Sequence, residues 1–164
     1  MKRNLTIAAV GTFLMILIMQ WQGAALKTTG AEFGIIDLEF ANTAAKLHAL
    51  LAIWDIGTVK MNTWLDFVFI VSYVLFLSFA SAYTALKWPE KSFLRKAGLF
   101  LVRVAFVAGV FDIAENLLML QSMAGNYTDA SLHLTYYCAA IKFSLIGLIL
   151  LYLVAGLPNS LRKK

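Results

Sequence analysis

Charge is scarce in this sequence: 14% of its 164 residues are charged, and Asp and Glu together number nine. A soluble domain carries nearer a quarter, so this chain cannot clothe itself in a water-facing surface. Cysteine occurs once, as Cys138 in an apolar run, which excludes an intrachain disulfide and any cysteine-rich metal site. Two histidines, His48 and His133, are too few for a multi-histidine iron or zinc centre. There is no Gly-rich phosphate loop, nucleophile elbow or metal-ligand helix, so no metal and no cofactor is expected. Repeats and low-complexity linkers are also missing, and the chain reads as one domain over residues 1–164.

What is present is apolar. Hydrophobic residues make up 61%, and the mean hydropathy is +0.78. A bilayer span needs about 20 mostly apolar residues, and four stretches qualify: about 5–22, 64–86, 97–123 and 132–156. The expected fold is an all-α integral membrane protein, a four-transmembrane-helix bundle. The first stretch resembles a signal peptide, with a basic start and "GAA" at 23–25, but its long apolar run and the Gln20-Trp21-Gln22 anchor favour a retained span.

Basic residues set the expected orientation. Lys2, Arg3, Lys87, Lys91, Arg95, Lys96, Arg162, Lys163 and Lys164 share one side if four spans alternate, against Lys27, Lys46 and Lys60 on the other. Both termini are expected to be cytoplasmic, in a cell membrane of the bacterial inner-membrane type. With the net charge of +5 placed this way, and no basic helix face, nucleic acid is not an expected partner.

Between the first two spans, Ile36, Phe40, Ala44, Leu47, Leu51 and Trp54 recur at steps of three or four. That spacing predicts one amphipathic helix over about 36–56, stopped by Gly57, which lies on the outer surface, caps the bundle or lids a cavity. Asp37 and Glu39 read as its solvated start. Thr63 and Asp66 read as a capping box opening the second span, or else Asp66 joins Tyr73, seven residues on, in a site at the outer mouth. Arg103 is within snorkelling distance of the headgroups and points away from Asp112.

The third span holds the costly residues, in "VAGVFDIAENLLML". Asp112, Glu115 and Asn116 lie within about 60° of one another around a helix, and ionised groups at span centre turn inward and seek partners. Lys142, in the fourth span, lies at nearly the same depth, about 21–23 Å from the inner face at 1.5 Å per residue. A short loop makes the two spans antiparallel neighbours, so Lys142 is expected to pair with Asp112, with Glu115 as alternative partner and surplus acid. Thr135 and Cys138 share the face of Lys142. His133, Tyr136 and Tyr137 form an interfacial belt, or His133 and Tyr137 join Glu115 in an outer cluster.

The layout resembles that of bacterial lipoprotein signal peptidases, small four-span proteins with an outer insertion after the first span. The likeness stops there, because "DIAEN" does not match their Asn-x-x-Asp type of sequence and the fourth span has no Asp or Glu. Three functional readings follow. The first is a polar intramembrane site that binds or transports a small or lipidic ligand. The second is a lipid-modifying enzyme using a buried carboxylate, Asp112 or Glu115, as general acid or base. The third is an accessory or assembly subunit with a purely structural ion pair. Membrane lipid is the expected partner, and a second copy or another membrane protein is compatible with each.

Overall fold

The computed structural model of the chain describes residues 1–161, with side chains described to residue 157. Arg162, Lys163 and Lys164, counted above among the basic flanks, lie outside the described residues. Six α-helices follow in order: α1 (Lys2–Gln22), α2 (Ile35–Glu39), α3 (Ala44–Ile53), α4 (Ile56–Ala85), α5 (Phe93–Met123) and α6 (Asp129–Leu161). Four of them, α1, α4, α5 and α6, are long and apolar enough to cross a bilayer. We call the side carrying α2 and α3 the insertion end, and the opposite side, with Lys2, Lys87 and Arg95, the basic end.

The insertion does not form the single helix that its apolar stripe predicts. It breaks between Glu39 and Ala44. Thr43 sits in extended backbone and its side chain accepts from the Lys46 amide, so a new helix starts at Ala44. Gly57 is not a stop either. Helix α3 ends at Ile53, and Asp55 caps α4 by accepting from the Thr58 amide and hydroxyl. The Thr58 side-chain and backbone bonds hold the Asp55 carboxyl below its ordinary value. Helix α4 therefore begins well before the apolar run at Trp64, and the expected Thr63–Asp66 capping box is not a cap. Thr63 bonds back to the Val59 carbonyl inside the helix.

Helices α4, α5 and α6 are mutually packed, whereas α1 packs chiefly along α4 and buries only Thr12. Two apolar clusters result. One joins Leu26, Leu38, Leu47, Leu50, Trp54 and Val59 of the insertion end to Met119 and Met123 of α5. The other fills the bundle with Ile70, Tyr73, Val74, Leu77, Leu101, Val104, Ala105, Ile149 and Tyr152. Along one face of α5, at steps of three and four, the sequence runs from Leu101 and Ala105 through Asp112, Glu115 and Asn116 to Met119 and Met123. A polar layer is thus clamped between two greasy ones. Gly109 sets its geometry: a Cβ there would lie 2.7 Å from Val74 Cγ2, so its absence lets α4 and α5 close up one turn from Asp112.

Candidate functional site

Lys142 is the centre of the polar layer. Its Nζ donates to Asp112 Oδ1 at 2.7 Å and to Glu115 Oε1 at 3.0 Å, and it lies 3.2 Å from Glu39 Oε2. Two further hydrogen bonds extend the layer. Tyr73 donates its hydroxyl to Asp112 Oδ2 at 2.7 Å, and Asn116 Nδ2 donates to Asp66 Oδ2 at 2.7 Å. Asp112, Glu115 and Lys142 are all buried, Glu115 completely. The helical spacing of Asp112, Glu115 and Asn116 thus delivers one face, and the equal depth of Asp112 and Lys142 becomes a direct ion pair.

Charge counting from sequence had one acid in surplus. The structure brings three of the nine carboxyl groups to a single ammonium, Glu39, Asp112 and Glu115, and holds a fourth, Asp66, nearby on Asn116. Glu39 is the correction to the solvated-start reading. It is 7% exposed because α2 folds inward rather than lying in water. Gly34, at φ +66, turns the chain into α2, where a residue with a side chain would be strained. Phe40 then anchors the other end, edge-on to Tyr136 and stacked on Phe143, which flanks Lys142 on α6. That clamp places Glu39 against the ammonium.

The outer cluster of His133, Tyr137 and Glu115 does not form. Both α6 residues are exposed, Tyr137 at 58%, and Tyr137 packs on Tyr136. Five residues at 100° each turn Tyr137 about 140° from Lys142, and His133 is opposite it. Arg103 is exposed, whereas Thr135 and Cys138 are buried on the Lys142 side. No group of three or more metal-ligating side chains suited to an ion occurs among the described residues.

The cluster borders a cavity of about 380 Å³ between α1, α2, α4 and α6, lined by Glu39, Asp66, Tyr73, Asp112 and Lys142 together with Thr12 of α1. Two buried atoms on this lining lack a hydrogen-bond partner: Glu39 Oε2, whose approach to Lys142 misses hydrogen-bond geometry, and Thr12 Oγ1. Buried polar atoms are nearly always satisfied in folded proteins, so an unpaired pair facing one cavity marks a place where something else can bond. Neither residue was singled out from sequence. Thr43 as a cap signal marks the break that frees Glu39, but nothing along α1 distinguishes Thr12.

Burial pushes the Glu39 carboxyl above its ordinary value of 4.5, Lys142 opposes that, and Asp112 adds to it. Between the ordinary and the raised value, the folded chain therefore holds a proton at Glu39 that the unfolded chain has released. Stability from this group is greatest below about pH 4.5 and declines as pH rises from there towards the raised native value, with a constant penalty above it. Thermal unfolding of detergent-solubilised protein across roughly pH 4 to 8 should show a shallower decline in Glu39→Gln than in the native chain. Identical slopes would mean that Glu39 is not held in this environment.

The sequence matches no family model, and neither curated proteins nor solved structures give a significant likeness to it.

Proposed function

We propose that this chain is a multi-pass membrane protein that binds or transports a small or lipidic ligand at an acidic intramembrane site. The observation carrying this reading is the cavity of about 380 Å³ onto which Glu39, Asp66, Asp112 and Lys142 open. An ion pair serving only to fix helix packing needs no such space, which weighs against the accessory-subunit reading. In this proposal Asp112 and Glu39 supply charge or exchange a proton, Asp66 and Tyr73 line the approach, and Lys142 holds the acids in register. The basic end faces the cytoplasm, as the lysine and arginine asymmetry favours, in a membrane of the bacterial inner-membrane type.

A second reading, a lipid-modifying enzyme, rests on the unpartnered Glu39 Oε2 at the cavity wall, which is placed as a general acid or base is placed. One comparison separates the two. Lipid recovered with the purified native chain and with Asp112→Asn should differ: losing a charge-assisted contact weakens retention about tenfold or more. Chemically unaltered lipid released by the substitution supports binding. Lipid altered only by the native chain supports the enzyme, and equal, unaltered lipid in both would sink both readings.

A further inference from the structure

A second cavity, of about 440 Å³, extends towards the basic end and is walled by Ala9 and Val10 of α1, Ala80 and Tyr83 of α4, and Leu153 of α6. Phe76 borders both cavities, so they are successive compartments of one groove that runs over α4 between α1 and α6. Its two parts differ in chemistry. The first presents three carboxyl groups, Glu39, Asp66 and Asp112, and the unpaired Thr12 hydroxyl, and the second is almost wholly apolar.

Resting on the acidic-site reading above, we infer that the ligand is a single-chain membrane amphiphile with an ammonium head, seated with its head at the carboxylate cluster and its chain in the α1–α6 groove. Charge selects the head. The sole cation at the site, Lys142, is already engaged by three acidic side chains, so a phosphate or carboxylate head would find no free cation and several acids facing it. An ammonium group supplies the donors that Glu39 Oε2 and Thr12 Oγ1 lack.

Length selects the chain. From Tyr73, beside Asp112, to Thr84, at the far end of the groove, α4 rises by eleven residues. At about 1.5 Å each this is roughly 16 Å, close to half of a hydrocarbon core about 30 Å thick, the depth one chain covers in one leaflet. Access is from the side. Helix α1 packs chiefly on α4, with Thr12 its one buried residue, so the gap to α6 is open to the side, while α2 roofs the insertion end through Ile35, Ile36 and Glu39.

The test uses the full chain in non-ionic detergent, with hexadecylamine, butylamine, hexadecanol and palmitic acid as probes, and native mass spectrometry as readout. Hexadecylamine should be retained about tenfold or more tightly than hexadecanol, the factor expected for a charged hydrogen bond, and palmitic acid should not be retained. Ala80→Leu and, on the less buried wall, Ala9→Leu should weaken hexadecylamine and leave butylamine unchanged. Equal retention of hexadecanol or palmitic acid would overturn the ammonium assignment. Equal retention of butylamine, or indifference to both groove substitutions in folded protein, would overturn the chain assignment and leave the acidic site standing. If no amine is retained while lipid still co-purifies in an Asp112-dependent way, the inference alone fails. If that dependence is missing too, the acidic-site reading fails with it.

Discussion

Lys142→Met should destabilise the protein by about 3–5 kcal/mol at neutral pH, the usual consequence of removing one partner from a buried ion pair. Methionine nearly matches the lysine stem in length, so lost packing contributes little and the effect isolates the charge. Asp112 and Glu115 would each lose a hydrogen bond, of 2.7 and 3.0 Å, and Glu39 its facing cation at 3.2 Å. Three buried carboxylates without a counter-ion must then take up protons to remain folded, so the deficit should shrink on acidification. Adding Asp112→Asn and Glu115→Gln to Lys142→Met should restore much of the stability, because removing the cation together with the two acids bonded to it is far milder than removing the cation alone. Unfolding monitored in detergent tests this, and a Lys142→Met chain as stable as the native one would contradict the arrangement. The triple variant has a second use. If it regains stability and still fails to retain lipid, the charges serve the ligand as well as the packing.

How much of this was legible in the residues follows from the range of the forces involved. The four long helices could be read because each is a local run of apolar side chains, and hydropathy needs no knowledge of neighbours. The Asp112–Lys142 pair could be read because rise per residue and a short connection fix depth and adjacency. The capping role read for Asp66 failed for an instructive reason, whereas its alternative grouping with Tyr73 matches the cavity lining. Hydropathy marks where an apolar surface starts, at Trp64, whereas the helix starts at its cap, Asp55, and α4 has already turned more than twice before it reaches Asp66. Glu39 was hidden more deeply. A stripe at 100° per residue assumes a continuous helix, and the break after Glu39 re-aims everything before Thr43. The caps Thr43 and Asp55 are readable as helix starts, but the inward path of α2 depends on Phe40 finding Tyr136 and Phe143, almost a hundred residues away. Thr12 lies beyond any such reading, since α1 is apolar on every side and only its packing on α4 selects a face.

Trp54→Ala should produce the other large effect, and a differently distributed one. Trp54 is buried in the insertion-end cluster against Leu47, Leu50 and Val59, and its Nε1 donates to the Leu26 carbonyl at 2.8 Å. Truncating a buried tryptophan costs about 3–5 kcal/mol, and the Leu26 carbonyl would be left unpaired as well. The polar layer separates this cluster from the one that holds α4, α5 and α6 together below it. The loss should therefore appear as local opening of α2 and α3, not as uniform weakening of the bundle. In hydrogen exchange, amides of Ile35–Glu39 and Ala44–Ile53 should open about a hundredfold to a few thousandfold more often, since each 1.4 kcal/mol is tenfold, while those around Leu101–Ala105 stay protected. Because α2 carries Glu39, the same substitution should also admit water to the carboxylate cluster and erase the pH slope attributed to Glu39. Loss of protection spread evenly over all six helices would refute the separation of roof and bundle, and with it the idea that the insertion closes the site.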